Sequence, residues 1–98
     1  MNVYESPAVM EERVAREVVA RHPAPKGVNG IAVEFGIDYS DTPAMWLVFS
    51  LDSDAEELQA TYSSVYGFAD IVRTELRDAG IERFAFVRFK RPNPDLQT

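Results

Sequence analysis

The sequence predicts an α+β fold: a two-layer sandwich in which two helices cover one face of a small, mostly antiparallel sheet. Two segments carry apolar residues at helical spacing, and three carry the alternation of half-buried or buried strands. These segments follow one another in the order helix, strand, strand, helix, strand. Because both helices and all strands must share one core, we expect the helices to lie on the same side of the sheet.

The first helix is predicted to begin at Ser6-Pro7, where serine can act as the N-cap and proline suits the first helical position. His22-Pro23 ends it. Between these signals an apolar stripe recurs at four-residue spacing, formed by Met10, Val14 and Val18 with Val19 beside them.

The next two segments are predicted to form an antiparallel hairpin. "GIAVEFGIDY" alternates, "SDTP" turns the chain, and "AMWLVFSL" is apolar on both faces. A loop with an odd number of residues places Met45, Leu47, Phe49 and Leu51 on the same face as Ile31, Val33, Phe35, Ile37 and Tyr39. The reverse face then carries Ala44, Trp46, Val48 and Ser50 beside Glu34, Gly36 and Asp38. We expect this odd register, because a one-residue slip would place the second apolar set against the carboxylates.

The second helix is predicted over residues 54–79, after the capping box Ser53–Glu56. Gly80 is expected to act as a left-handed cap, with Ile81 folding back on the last turn. Such a helix would run roughly 38 Å, whereas strands of this length span ~27 Å. It should therefore overhang the sheet or break, and "SSVYG" around Gly67 is the expected break. "RFAFVRFK" is the last strand.

This arrangement matches a ferredoxin-like βαββαβ unit that lacks its first strand. In the complete unit the missing strand lies between the hairpin and the last strand. The gap would close directly, or residues 1–5 would fill it as a strand, or a second chain would. We expect a single domain over residues 1–91 and a flexible tail over residues 92–98.

A three-stranded sheet with both helices on one side leaves its other face bare. An exposed apolar patch in a soluble protein usually marks an interface. The sequence therefore predicts self-association, as a homodimer, or pairing with a small partner protein through this face or an open edge. The residues expected there are Trp46, Val48, Ala44, Phe84 and Phe86.

Composition narrows the classes of function. The chain has 98 residues, no cysteine and a net charge of −6. Thiol catalysis and disulfides are excluded, and the acidity disfavours nucleic acid as a partner. The N-terminus does not have the pattern of a secretory signal, and no apolar run is long enough for a membrane span. We therefore expect a cytoplasmic protein without a membrane or cofactor.

Single-stranded nucleic-acid binding is an alternative that depends on the last strand. "ERFAFVRF" follows the aromatic part of the RNA-recognition signature, but Glu82 and Arg83 stand where that signature has a basic residue and a glycine. Phe84 and Phe86 would stack bases in this alternative. Arg83, Arg88 and Lys90 would supply the positive charge for a nucleic acid or another anionic ligand.

A small enzyme with a carboxylate site is the other alternative. Glu34 and Asp38 are predicted to share a strand face and could flank a ligand, with Asp52 as a further candidate. His22 is the only histidine, and its place in a His-Pro stop indicates a helix-end residue. No metal-binding or phosphate-binding motif is present, so we name no catalytic or metal-binding residue.

The stretches "DYSDTPAMWLVFSLD" and "FAFVRFK" resemble a group of small, uncharacterised bacterial proteins. These proteins show an Asp-rich turn, a strand opened by Pro-Ala-aliphatic-Trp, a long helix and a closing strand. They look like accessory members of gene pairs, including toxin–antitoxin-like ones. The resemblance implies a protein partner and no catalysis, and it transfers no functional residue. It agrees with the leading hypothesis of a non-enzymatic interaction module.

Overall fold

The computed structural model describes residues 6–52 and 58–91. It contains α1 (Pro7–Ala20), β1 (Val28–Ile37), β2 (Pro43–Leu51), α2 (Leu58–Asp78) and β3 (Phe84–Lys90). The sheet has the order β1-β2-β3, with β1 antiparallel to β2 and β2 parallel to β3. The predicted α+β fold with the order αββαβ is confirmed. The direct pairing of β2 with β3 closes the gap left by the missing strand and makes the sheet mixed.

Helix α1 begins as predicted. The Ser6 hydroxyl accepts a hydrogen bond from the backbone N–H of Val9 at 3.2 Å, and Pro7 is the first helical residue. The buried side chains of α1 all lie in its second half: Ala15, Val18 and Val19. Met10 was predicted to belong to the buried stripe, but it is 45% exposed because it lies before that half.

The hairpin has the odd register that the sequence predicted. Its loop comprises residues 38–42, and Val33 lies opposite Leu47 and Phe35 opposite Met45. The apolar sets of β1 and β2 therefore share one face. Two members of the predicted set are exposed: Tyr39 lies in the loop and is 99% exposed, and Ile37, the last residue of β1, is 61% exposed.

Helix α2 runs without interruption from Leu58 to Asp78, so the predicted break near Gly67 is wrong. Gly67 is exposed, and a Cβ added to it would meet nothing within 4 Å. The end of α2 confirms the predicted cap: Gly80 has φ +84°, and the Ile81 N–H bonds the Leu76 carbonyl at 2.9 Å. The predicted Ser53–Glu56 capping box, the residue 1–5 strand and the tail at 92–98 lie outside the described residues.

The core lies between the sheet and the two helices. Met45, Leu47 and Phe49 of β2 are fully buried there. The Phe49 ring meets the Phe68 ring of α2 edge to face, with 5.8 Å between centroids. Helix α1 packs against β1 and α2 against β3, so we call this side of the sheet the covered face.

Candidate functional site

Alternate residues of the three strands point away from the helices and form the second surface of the sheet, which we call the open face. None of the described helices lies over it. The strand register aligns its residues in rows across the sheet. These rows are Gly36–Ala44–Phe84, Glu34–Trp46–Phe86, Ala32–Val48–Arg88 and Gly30–Ser50–Lys90. The open face therefore brings together all five residues that the sequence predicted for an interface. Two of them are not exposed as predicted, because neighbouring side chains bury Ala44 (0% exposed) and Val48 (7% exposed).

Three aromatic side chains form a continuous cluster on the open face, which we call the aromatic row. Trp46 stacks on Phe86, with 5.7 Å between ring centroids and 24° between planes. Phe86 in turn meets Phe84 edge to face at 4.8 Å. On the other side the Trp46 ring lies over Gly36, where an added Cβ would stand only 3.1 Å from Trp46 Cζ3. The aromatic row thus extends across the whole sheet, and Phe84 is 53% exposed.

Two arginines lie against the aromatic row. The guanidinium of Arg88 is 5.5 Å from the Trp46 ring centroid, and its Nη1 is 3.1 Å from Glu34 Oε1. The guanidinium of Arg73 is 4.7 Å from the ring centroid of Phe84. Half-exposed ion pairs such as Arg88–Glu34 stabilise a fold by only ~0–1 kcal/mol. This pair therefore contributes mainly to the charge pattern of the open face.

The outer edge of β3 is occupied by Arg73 of α2. Its Nε and Nη2 both donate to the Ala85 carbonyl, at 2.9 and 2.7 Å. Because α2 lies on the covered face and the Phe84 ring on the open face, the Arg73 side chain passes around the edge of the sheet. One of the carbonyls that an added strand would use is therefore already bonded.

An arginine of α1 likewise bonds a backbone carbonyl at the outer edge of β1. The Asp38 N–H bonds the Thr42 carbonyl at 2.9 Å. Hydrogen-bonded and non-hydrogen-bonded residue pairs alternate along an antiparallel ladder. Counting from the hydrogen-bonded pair Asp38–Thr42, Val33–Leu47 is a non-hydrogen-bonded pair, so the Val33 carbonyl points outward. Arg16 Nη2 donates to that carbonyl at 3.3 Å. An arginine on each edge reduces the tendency of the sheet to add a strand.

Arg83, a predicted ligand-binding residue, is used inside the fold. Its Nε donates to Glu11 Oε1 at 3.1 Å, and its Nη1 donates to the carbonyls of Gly36 and Ala44, both at 3.0 Å. The guanidinium lies 4.7 Å from the Phe35 ring centroid, and the side chain is 18% exposed. Arg83 therefore joins β3 to α1, β1 and β2.

The three predicted cations are not brought together. Arg83 is largely buried against the hairpin at the start of β3, Arg88 pairs with Glu34, and Lys90 is exposed at the far end of the open face. Their separation gives no single anion-binding cluster.

The predicted acidic pair is not formed, because each carboxylate has its own partners. Asp38 lies in the hairpin loop, where its Oδ1 accepts from the hydroxyl of Ser40 at 2.7 Å, the Ser40 N–H at 2.8 Å and the Thr42 N–H at 3.1 Å. These hydrogen bonds, with the Ser40 hydroxyl first, lower the pKa of Asp38. Glu34 pairs with Arg88. The signal for the loop role was the spacing Asp-x-Ser-x-Thr, in which hydroxyl and N–H donors follow an aspartate.

The remaining candidates for chemistry also have structural roles. His22 Nε2 is 2.8 Å from Glu75 Oε2 and joins the end of α1 to α2, as a helix-end residue would. The Asp52 side chain is exposed at the end of β2. Within residues 6–52 and 58–91, no three His, Cys, Asp or Glu side chains are grouped so that they could hold a metal ion. Neither described helix is long and apolar enough to cross a membrane.

A cleft of about 490 Å³ lies between the end of α2 and the start of β3. Arg73, Arg77 and Arg83 line it together with Glu82. Arg73 and Arg83 already donate to backbone carbonyls, and Arg83 also pairs with Glu11. Carboxylates thus balance two of the three arginines, since Arg73 pairs with Asp70 and Arg83 with Glu11, and the end of a helix adds negative potential there.

Comparison of the chain with protein-family models, with curated proteins and with solved structures found no match. The functional interpretation therefore depends on the contacts of the chain itself.

Proposed function

We propose that this protein is a non-enzymatic interaction module that associates with a second copy of itself through the open face. The observation that carries the proposal is the aromatic row. Trp46, Phe86 and Phe84 form one apolar surface on a side of the sheet that no described helix covers. Contiguous exposed apolar surface of this kind is typical of interaction sites.

The open face is a better candidate than the sheet edges. Arg73 and Arg16 each bond an outward-facing carbonyl at an edge. A partner strand would have to displace the guanidinium group at the edge that it joined before it could pair there. Docking on the open face leaves these bonds in place.

Protein is a better partner for this face than single-stranded nucleic acid. Base stacking needs an aromatic ring with an unoccupied face. Here Trp46 stacks on Phe86 and lies beside the Arg88 guanidinium, while Arg73 lies over the Phe84 ring. The rings thus present edges and partly covered faces, which favour side-chain packing over base stacking.

The dimensions of the open face predict the strength of association. Three strands ~4.8 Å apart and the seven residues of β3 give a footprint of roughly 14 by 23 Å. This is well below the ~800 Å² per partner of a standard stable complex. We therefore expect a weak dimer with a dissociation constant on the order of 10 μM or higher.

Light scattering over a concentration series tests the proposal. We expect the wild-type mass to rise toward that of a dimer, while Trp46→Asp and Phe84→Asp remain monomeric because a desolvated carboxylate opposes the contact. Phe84→Asp provides a second variant in case Trp46→Asp does not fold. It should fold, because Phe84 is 53% exposed and an aspartate at this position would lie beside the Arg73 guanidinium.

Ile71→Asp is the matched control, because Ile71 is 50% exposed on α2, away from the open face. It should associate like the wild type. A wild type that is monomeric throughout, or open-face variants that associate normally while circular dichroism shows them folded, would contradict self-association through this face.

A further inference from the structure

We infer that the two copies are related by a two-fold axis parallel to the strands, so that β1 of each copy lies over β3 of the other. In this arrangement Glu34 of one copy meets the basic side chains of the second. The inference rests on the proposed self-association and specifies its geometry.

Symmetry leaves two simple ways to place two open faces against each other. A two-fold interface uses the same patch on both copies, and packed sheets usually keep their strands roughly aligned. The axis then lies in the interface and runs either along the strands or across them. An axis along the strands places β1 over β3 of the second copy, whereas an axis across them places every strand over its own equivalent.

The charge pattern of the open face favours the axis along the strands. Its charged residues lie only on the outer strands: Glu34 on β1, and Arg88 and Lys90 on β3. The open-face residues of β2 carry no charge. Placing β1 over β3 therefore brings opposite charges together, whereas placing β3 over β3 brings together the two strands that carry only positive charge on this face.

The reach of the side chains agrees with this pairing. An axis along the strands keeps each row at the same height, so Glu34 of one copy lies over the row of Phe86 in the second. Arg88 is one row further, two residues or ~6.6 Å along the strand. A guanidinium on its long stem covers this distance, and the Arg88–Glu34 pair within one copy already spans the same offset at 3.1 Å.

Side-chain size points to the same axis. The open face of β1 carries small residues at Ala32 and Gly36, and β3 carries Phe84 and Arg88 at the same heights. The axis along the strands sets the large side chains of one copy over the small ones of the other. The axis across the strands sets the large side chains of β3 over those of the second β3, and the small ones of β1 over those of the second β1.

Charge reversal tests the axis. Glu34→Arg gives a chain with positive charge on both outer strands, and Arg88→Glu gives one with a carboxylate on both, while Lys90 stays on β3. Each alone should dimerise at least ~10-fold more weakly than the wild type in sedimentation velocity, since like charges then face each other. An equimolar mixture should form a heterodimer with a dissociation constant within about threefold of the wild-type value.

Two controls separate the intermolecular pairs from the pair within one chain. Both single variants lose the internal Arg88–Glu34 pair. If their mixture dimerises again, the recovery must therefore come from charge pairs between the two chains. The double variant Glu34→Arg/Arg88→Glu keeps an inverted internal pair and should dimerise like the wild type. Lys90→Glu replaces Arg88→Glu in the mixture if the latter does not fold.

The outcomes distinguish this inference from the proposal beneath it. If the mixture stays as weak as the single variants, or the single variants dimerise normally, the axis along the strands is wrong. The open face still stands as the interface if Trp46→Asp abolishes dimerisation in the same assay. If Trp46→Asp has no effect, the proposed function itself fails.

Discussion

Large side chains on the two sides of β2 lie in different environments. Leu47 and Phe49 point to the covered face and are fully buried by the helices, whereas Trp46 points to the open face and keeps part of its surface in solvent. β2 nevertheless carries apolar residues on both sides, with Trp46 and Val48 on the open face. A strand that is apolar on both faces is typical of a sheet with a covering layer on each side. The described part of the chain supplies one such layer, and in the proposed dimer the second copy would supply the other.

The largest expected effect contrasts two phenylalanines on opposite faces. Phe49→Ala should lower the free energy of unfolding by ~3–5 kcal/mol, because it empties a fully buried site. Phe86→Ala should cost roughly 1–2 kcal/mol, since its ring is only partly buried, but it should abolish dimerisation. Urea unfolding at low protein concentration and light scattering at high concentration measure the two effects.

Equal losses of stability for the two variants would remove the distinction between the faces. So would a Phe86→Ala protein that dimerises like the wild type.

Two arginines give the next contrast. Arg83→Met should cost about 2 kcal/mol, because it removes three hydrogen bonds of a largely buried guanidinium and leaves Glu11 without its partner. Arg88→Met should cost less than ~1 kcal/mol, as expected for a half-exposed ion pair. Urea unfolding of both variants at one pH provides the comparison, and similar costs would show that Arg83 does not join the sheet to α1 as described.

Substitutions at two glycines of β1 test whether the aromatic row lies where the structure places it. Gly36→Ala places a Cβ 3.1 Å from Trp46 Cζ3, so the ring must shift. We expect a changed Trp46 emission spectrum, weaker dimerisation and a stability loss of ~1 kcal/mol. In Gly30→Ala the nearest atoms are 3.9 Å away, so emission and dimerisation should be unchanged. An unchanged spectrum for Gly36→Ala would mean that the Trp46 ring does not lie over Gly36.

The smallest effect concerns the hairpin loop, outside both faces. The pKa of Asp38 lies below its ordinary value of 3.8 because Ser40 and Thr42 donate to its carboxylate. Its stabilising contribution is therefore present above that value and is lost as the pH falls through the lowered pKa of the folded protein. Asp38→Asn should be less stable than the wild type at pH 7, and the difference should shrink toward pH 3 in urea unfolding. A difference that is constant with pH would contradict this role.

The sequence predicted the features that depend on neighbouring residues. Alternation in β1 and β2 predicted the hairpin register, and Gly80-Ile81 predicted the end of α2. The same alternation placed Trp46 on the face away from the helices. These predictions succeed because strand periodicity and cap geometry are local properties.

The features that depend on distant contacts were missed. Arg83 bonds carbonyls 47 and 39 residues away, and no sequence pattern indicates such partners. The continuity of α2 was missed for a related reason: glycine lowers helix propensity by about 1 kcal/mol, but buried neighbours such as Val65 and Phe68 hold the helix against the core.

Trp46 offers the most direct test, because it is the only tryptophan of the chain and lies at the centre of the open face. Acrylamide quenching of its fluorescence can be followed from about 1 μM to about 1 mM protein, a range that spans the expected dissociation constant. Association through the open face should lower the quenching constant as the concentration rises, and Glu34→Arg should delay this change to higher concentration. A quenching constant that stays the same while light scattering shows dimers would place the interface elsewhere and contradict the central claim.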